Sequence, residues 1–412
     1  MTRILILGGG FGGTYLLRSL RRKIAPSQIT LVTRDDYFTF TPLLHEVATG
    51  GLAPATITEP LRDLNEDNRV GLARAEIRRI RLQDRVVETD QGEISYDCLA
   101  VALGSESEDH GTPGVAEHAL ILKSLSDAVR IKNHVLNQVQ AAARATNPVE
   151  QQRLARVVVV GGGATGIELA AELADLYRHT LRGLYPELFR DTRFGPELVL
   201  LAKADELLSY LPPYFRTRSH TALTRMGVVV RLGVTVTAVG TQGVRLMGGE
   251  EIASGTVLWA AGVRPSRVEF QPAVPRSARG RVIVSPNLNL AEFPEVFVLG
   301  DMGTPAGLPV PELAQAATKE AEVVAGNILR HLARRPLRPF RYRSSGSLLS
   351  LGRWQAIAQI GPVHLRGPFA WWLWRTIYLS KLLTGRKRLA VALEWTVNLF
   401  RPRDTRIVND NH

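Results

Sequence analysis

The chain has 412 residues, too many for one ordinary core, because single cores stop growing at roughly 250–300 residues and longer chains divide. With 45% hydrophobic and 22% charged residues it has the composition of a folded globular protein, which excludes a disordered chain; a single cysteine excludes an internal disulfide and any chemistry that runs through a redox-active cysteine pair. A formal net charge of +12 favours an acidic partner surface, and without zinc-ligand spacing or an aromatic-and-basic nucleic-acid motif, anionic lipid is a better expectation than nucleic acid.

The first stretch, RILILGGGFGGTYLLRSLRRK, predicts a strand, a Gly8-x-Gly10-x-x-Gly13 loop and an amphipathic helix. The N-terminus enters that strand at once, without the basic-then-apolar layout of an export signal, so a cytoplasmic, non-exported location is expected. QITLVTR supplies the next strand, which closes on Thr33 and Arg34. Residues 70–103 alternate short apolar runs with turn signals and predict a meander; within them Cys98, in the run YDCLAVALG, reads as a small core residue. Residues 115–147 carry a long helical pattern that links two halves.

The second half repeats the first. RVVVVGGGATGIELAAELADLY predicts strand, Gly161-x-Gly163-x-x-Gly166 loop and helix, and ELVLLAK gives the following strand, ending on Ala202 and Lys203. The glycines have a physical reason: the chain must turn tightly, and the helix must come close to both strand and ligand so that its unpaired N–H groups face a pyrophosphate. One such loop is a weak signal; two, each with its own flanking strands, predict dinucleotide binding. A second meander follows, then VFVLGDMG with Gly300-Asp301 at the end of an apolar run, then a helix over residues 311–333. The basic, proline-broken run RRPLRPFRYR marks the start of a distinct C-terminal region.

In that region, RGPFAWWLWRTIYLSKLLTGRKRLAVALEWTVNLF gathers apolar side chains at Phe369, Trp372, Leu373, Ile377 and Leu383, with Thr376, Ser380 and Thr384 on another face. A spanning helix needs ~20 predominantly apolar residues, and Arg375 and Lys381 interrupt the run before that length. The segment is therefore expected to lie in a membrane interface, with Trp371, Trp372, Trp374 and Tyr378 at headgroup level and Arg386, Lys387 and Arg388 toward anionic lipid. LAVALEWTVNLF would form a return helix. The alternative is a core or dimer-interface role, and a homodimer burying part of the tail is compatible with either.

Taken in order, GGGFGG, TPLLHEVATG at 41–50, ALGS at 102–105, GGGATGIELAAEL, WAAGVRPS at 259–266, VFVLGDMG, LAQAA at 313–317 and the basic aromatic tail resemble the type II NADH dehydrogenases. These are single-chain flavoproteins that pass electrons from a nicotinamide dinucleotide to a quinone. The resemblance implies an α/β fold of two nested Rossmann-type domains, glutathione-reductase-like, plus an amphipathic helical membrane-binding region. It places an FAD-binding domain at 1–115 and 286–340, an NAD(P)H-binding domain at 116–285 and the membrane region at 341–412. The implied activity is that of a membrane-associated, non-proton-pumping NAD(P)H:quinone oxidoreductase.

By the same resemblance, Gly8, Gly10, Phe11, Gly12 and Gly13 would take the FAD pyrophosphate, and Pro42, Leu43, Ala102 and Gly104 would pack along the flavin. Asp301, after Gly300, would bind the ribityl or phosphate region, its alternative being a solvated turn. Gly161, Gly163, Ala164, Thr165 and Gly166 would bind the nicotinamide dinucleotide, with Gly262 and Val263 near its nicotinamide or ribose. Direct hydride transfer asks the protein mainly to hold two rings at reactive distance. His45 is expected to be a packed core histidine outside the chemistry. Gln315 matches the first of two glutamines that the family carries on this helix; Lys319 replaces the second, and either donates to a quinone carbonyl, stabilises reduced flavin by charge, points to solvent or pairs with Glu320. Glu168 and Glu172 lie one turn apart where the family has carboxylates, and Glu172 is the candidate proton relay, its alternative an ordinary helix carboxylate.

Three positions depart from the family. Thr33 stands where a carboxylate usually holds the FAD ribose, with Arg34 next to it. Ala202 stands where a carboxylate would hold the NADH ribose and repel the extra phosphate of NADPH; its absence, with Lys203 beside it, implies that NADPH is accepted at least comparably with NADH. Lys319 is the third. They leave open a non-catalytic or sensing flavoprotein of the same fold, and an NAD(P)H-dependent reductase of a soluble acceptor.

Overall fold

A computed structural model describes residues 2–25, 28–64, 70–190 and 196–407. The chain divides into two units: Met1–Thr39, Thr58–Glu106 and Val263–Arg343 form the first, and Phe40–Ile57, Ser107–Gly262 and Ser344–His412 the second.

In the first unit the strand Ile4–Leu7 sits at the centre of a five-stranded parallel sheet, in the order Val296–Val298, Cys98–Val101, Ile4–Leu7, Ile29–Thr33, Gly71–Arg74. Two of its inner strands, Ile4–Leu7 and Cys98–Val101, are unbroken, fully buried apolar runs, as expected where both faces of a parallel sheet are covered. The helix Phe11–Leu20 buries Leu16, Leu17 and Leu20 and packs on the helix Ala314–Leu332. The meander expected over residues 70–103 is present in Ile77–Arg81, Val86–Thr89 and Gly92–Ser95, joined by Glu269–Gln271.

The second unit repeats the plan. Its five-stranded parallel sheet runs Leu120–Ile121, Thr256–Trp259, Val157–Val160, Leu198–Leu201, Val228–Arg231, with Val160 opposite Leu201. The Leu125–Arg144 helix begins at a capping box made by Ser124 and Asp127, which satisfies two of its otherwise unpaired N–H groups. Further on, Ser347–Ser350, Ala356–Ile360 and Val363–Arg366 form an antiparallel sheet, followed by the helices Gly367–Lys381 and Gly385–Val397; the Thr384 hydroxyl accepts from Lys387 N–H and caps the second.

Two features differ from the sequence pattern. Residues 344–412 are grouped in one compact unit with 107–262 and 40–57, while 263–285 fall in the first unit. The cause is a set of ties made by the tail: Asp404 N–H donates to Gly50 O at 3.1 Å and Lys132 Nζ to Asp404 Oδ2 at 3.2 Å. The second change concerns tryptophan. Trp371 and Trp374 are 2% and 1% exposed and belong to a core with Trp395, not to a headgroup layer. Arg375 is stacked between two of these rings, 3.6 Å from the Trp371 centroid and 4.7 Å from that of Trp395, so it does not interrupt a lipid-facing run; Leu383 is buried as well. Among the described residues, no helix is long and apolar enough to cross a membrane.

Candidate functional site

The first glycine loop is a place where only glycine fits. Gly8 has φ +105°, and a Cβ there would lie 2.4 Å from Ala102 O; a Cβ on Gly13 would lie 1.9 Å from Gly8 O. A Cβ on Gly12 would lie 3.2 Å from Ala102 Cβ, whereas one on Gly10 would meet nothing within 4 Å. The loop is thus closed on its protein side and open before the N-terminus of the helix that starts at Phe11, the geometry that presents N–H groups to a phosphate. Phe11 packs against Tyr15 and Phe38. Thr33 ends its strand with Oγ1 2.7 Å from where a Gly9 Cβ would be, and Arg34 is exposed, its carbonyl accepting from Arg74 Nε at 3.1 Å. Gly104 at φ +71° also faces open space.

Asp301 follows Gly300, which takes φ +69°, and accepts from Ser105 Oγ at 2.6 Å. It is half-buried and hydrogen-bonded rather than a solvated turn residue. The corner is held from behind by Glu320, 1% exposed, whose Oε2 accepts from Gly300 N–H at 2.5 Å and whose carboxyl burial pushes up to about 8. Glu320 is therefore not the partner of Lys319. On the same helix Gln315 Oε1 accepts from Tyr342 Oη at 2.8 Å, and Lys319 Nζ donates to Arg343 O at 2.6 Å while lying 5.7 Å from the Tyr342 ring centroid. Residues 342–343 thus hold both side chains, and Lys319 neither points freely to solvent nor pairs with its neighbour.

The second loop has the same construction. A Cβ on Gly161, φ +132°, would lie 2.2 Å from Ala260 O, and one on Gly166 2.0 Å from Gly161 O, while Gly163 faces open space. Ala164 and Thr165 open the helix Ala164–Leu176. Ala202 is buried beneath the loop and Lys203 is exposed. Gly262 takes φ +150°, beside His110, and in the first unit Val263 is exposed. Pro42 and Leu43 form a short turn, Thr41–Leu43, that buries Leu43.

Within the second unit the structure adds a cluster that sequence reasoning found only in part. The helix Ala164–Leu176 packs on the short helix Leu44–Val47, bringing Glu168, Glu172 and Asp175 toward His45 and Glu46. Arg403 Nη2 donates to both Glu172 Oε2 and Asp175 Oδ2 at 2.5 Å, and Arg403 Nη1 to Thr49 Oγ1 at 2.6 Å. Trp395 Nε1 donates to Glu46 Oε2 at 2.8 Å. Burial pushes Glu46 up to about 7 and Glu168 up to about 8; it also raises Glu172, against the pull of Arg403. His45 is driven down to about 3 by burial and by Arg403, so it is neutral. Its Nδ1 lies 3.8 Å from Glu168 Oε2 and its Nε2 has no partner. Glu168 further accepts from Ser350 N–H at 3.1 Å. A cavity of about 430 Å3 opens on this cluster, lined among others by Glu46, Glu172, Asp175, Arg353, Arg375 and Arg403.

Arg403, Trp395 and Glu46 were not foreseen. Arg403 is one of many basic residues in the tail, and Gly50, whose Cβ would lie 2.2 Å from Asp404 O, marks where the irregular tail segment passes close to it. Glu172 is no ordinary helix carboxylate: it is buried and ion-paired. Cys98 is buried, and burial pushes its thiol up to about 12, away from thiolate chemistry.

Two parallel-sheet units, each with a strand, glycine loop and helix opening on free space, define an oxidoreductase of the two-dinucleotide type. The chain belongs to the pyridine nucleotide-disulphide oxidoreductase family, whose model matches residues 2–321, and within it to the type II NADH:quinone oxidoreductases, residues 345–404 matching the NDH2 C-terminal domain. It is 32% identical to the type II NADH:quinone oxidoreductase Ndh of Mycobacterium tuberculosis, over 97% of this chain and 89% of that protein. It is 30% identical to the demethylphylloquinone reductase NdbB of Synechocystis, over 95% of each. NDH2 from Plasmodium falciparum in complex with NADH has the same fold, with a TM-score of 0.90 at 19% identity over 98% of this chain and 99% of that one. The sulfide:quinone oxidoreductase of Aquifex aeolicus superposes with a TM-score of 0.76 at 19% identity, over 97% and 95%.

Proposed function

We propose that the chain is a membrane-associated NAD(P)H:quinone oxidoreductase that holds FAD on the first glycine loop and NADH or NADPH on the second. The observation that carries this reading is the duplicated cradle: Gly10 and Gly163 both face open space at a helix start while their neighbours Gly8, Gly13, Gly161 and Gly166 touch backbone that excludes any side chain. A pyrophosphate fits such a place, since it needs N–H donors at close approach and no Cβ between. Asp301, held by Ser105, suits a hydroxyl-rich chain near the first cradle.

When bound, the flavin supplies the two-electron step between donor and acceptor. The chain's own residues position and exclude. Gly8, Gly10, Phe11, Gly12, Gly13, Ala102, Gly104, Gly300 and Asp301 hold the flavin nucleotide; Gly161, Gly163, Ala164, Thr165, Gly166, Ala202, Lys203 and Gly262 hold the donor. Gln315, fixed by Tyr342, and Lys319, fixed by Arg343, present polar heads to a quinone. Attachment to lipid is supported by the exposed Phe369, Trp372, Leu389, Leu393, Val397 and Phe400, near the exposed Arg386 and Arg388.

The test is an anaerobic mixing experiment with the purified yellow protein. Adding NADH or NADPH should bleach the flavin, and adding a quinone should restore its colour. No bleaching with either donor would sink the enzyme reading; bleaching without recovery would redirect the search to a different acceptor.

A further inference from the structure

We infer that Arg281 is a positioning residue of the first unit: its buried guanidinium holds the turn that presents Asp301 in register with the loop that starts the helix carrying Gln315 and Lys319. The inference rests on the reading above, in which Asp301 holds part of FAD and Gln315 and Lys319 face the acceptor.

Arg281 is 6% exposed and leads into the strand Val282–Val284, which runs parallel to Gly303–Pro305 with Val282 opposite Gly303. Its backbone is pinned by a tight turn: Ser277 Oγ accepts from Arg281 N–H at 3.2 Å, and Arg281 O accepts from Ser277 N–H at 2.8 Å. From there the fork reaches three carbonyls in two segments. Nη2 donates to Gly300 O at 3.3 Å and to Gly303 O, which flank Asp301 and Met302, while Nη1 donates to Val310 O at 2.8 Å. Val310 lies just ahead of the helix Ala314–Leu332. On that helix Glu320 takes the other side of the same turn, accepting Gly300 N–H at 2.5 Å. Both polar groups of Gly300, the residue before Asp301, are thus held by buried ionisable side chains.

Water or a neutral amide could satisfy such carbonyls. A guanidinium, which stays charged, carries a desolvation cost that a close carboxylate ordinarily offsets. Here the nearest ion-pair contact is loose: Glu312 Oε1 lies 3.9 Å from Nη1, and Arg281 Nε has no hydrogen-bond partner among the described residues. Much of the compensation therefore falls to carbonyl dipoles, and these suit the rigid fork in one arrangement of the two segments only. A costly device in this place has a use if the turn and the helix start must keep one geometry for ligands bound at each.

The experiment uses the full-length chain with Arg281→Lys, Arg281→Met and Glu312→Gln. The first reading is the FAD dissociation constant of the deflavinated protein, taken by quenching of flavin fluorescence well below each melting transition. Arg281→Lys keeps the charge but cannot span both segments, so it should raise that constant about tenfold, and Arg281→Met at least as much. Glu312→Gln leaves the three carbonyl contacts in place and should stay within about twofold. The second reading is steady-state kinetics at saturating FAD: both Arg281 variants should raise the KM for a quinone at least threefold and leave the KM for NADH within about twofold, because the second cradle touches none of these segments. An FAD constant unchanged in Arg281→Lys overturns the inference. So does an equal rise in the quinone and NADH values, which marks a general structural defect, and so does a loss in Glu312→Gln as large as in Arg281→Lys, which traces the effect to charge rather than to the fork. A parent chain that binds no FAD sinks the proposed function itself, and this role with it.

Discussion

The methyl group of Ala202 lies directly under the second glycine loop: a Cβ built on Gly162 would come within 2.8 Å of it. Strand and loop thus meet at this residue, where the nucleotide is proposed to bind, and the next side chain, Lys203, emerges into solvent. A carboxylate at 202 would hold a ribose hydroxyl pair and repel a phosphate there, and alanine does neither. Ala202→Glu should shift the NADH-to-NADPH ratio of kcat/KM toward NADH by about tenfold, the size of a single favourable charged contact. Lys203→Glu should lower the NADPH value alone. A donor ratio unchanged in both variants would remove this strand end from nucleotide choice.

Arg403 is the keystone of the buried cluster. Replacing it with methionine keeps the volume but leaves Glu172 and Asp175 buried without a counter-charge, a loss of about 3–5 kcal/mol when one partner of a buried pair is removed. The sign of its pH dependence follows from the carboxylates. Glu172 already binds its proton more tightly than usual because of burial, and without Arg403 it binds it more tightly still. Protonation relieves the unpaired charge, so Arg403→Met should be most destabilised at pH 8 and partly recover toward pH 5. Denaturant titrations at the two values, compared with the parent, check this; equal losses would show that packing rather than charge is at work.

How legible this was in the sequence differs by layer. The two cradles could be read because a strand, three spaced glycines and a helix are a local pattern, and the outer two glycines of each answer to a contact within their own unit, as Gly13 does to Gly8 O. The cluster could not, because it is assembled by pairs such as Trp395 with Glu46 and Arg403 with Glu172, which no local period links. The tail shows the same limit from the other side. Its tryptophans suggested a lipid surface by composition, yet Trp371 and Trp374 face inward, and the outward positions are Phe369, Trp372 and the four-spaced Leu389, Leu393 and Val397. Periodicity names a face but does not say what covers it.

Glu320 gives a second pH test, free of the cluster. Its carboxyl, buried behind Gly300, is raised from its ordinary value of 4.5 to about 8, chiefly by burial, with the Gly300 N–H opposing. A carboxyl whose folded pKa is raised contributes stability fully below its unfolded value and loses it as pH rises through the folded value. The loss should therefore develop between about 4.5 and 8. Glu320→Gln keeps an acceptor for Gly300 N–H and cannot ionise. The variant should match the parent at pH 5 and exceed it at pH 9, so that the difference in unfolding free energy grows with pH; a constant difference would show that Glu320 stays ionised throughout.

The exposed apolar side chains of the last two helices separate lipid binding from stability. Phe369 is 82% and Phe400 84% exposed, so neither contributes much to the fold, and each would bury apolar area only against another surface. Burying an aromatic side chain is worth roughly 1.5–3 kcal/mol, about ten- to a hundredfold in a partition constant. Phe369→Ser and Phe400→Ser should each weaken binding to anionic vesicles by about that factor and leave the melting temperature within a degree or two. Trp371→Ala should do the reverse, removing about 3–5 kcal/mol of core packing beneath Arg375. Vesicle sedimentation and thermal melts on the three variants read both quantities. Unchanged sedimentation in Phe369→Ser and Phe400→Ser would detach this face from lipid and turn attention to a second copy of the chain as its cover.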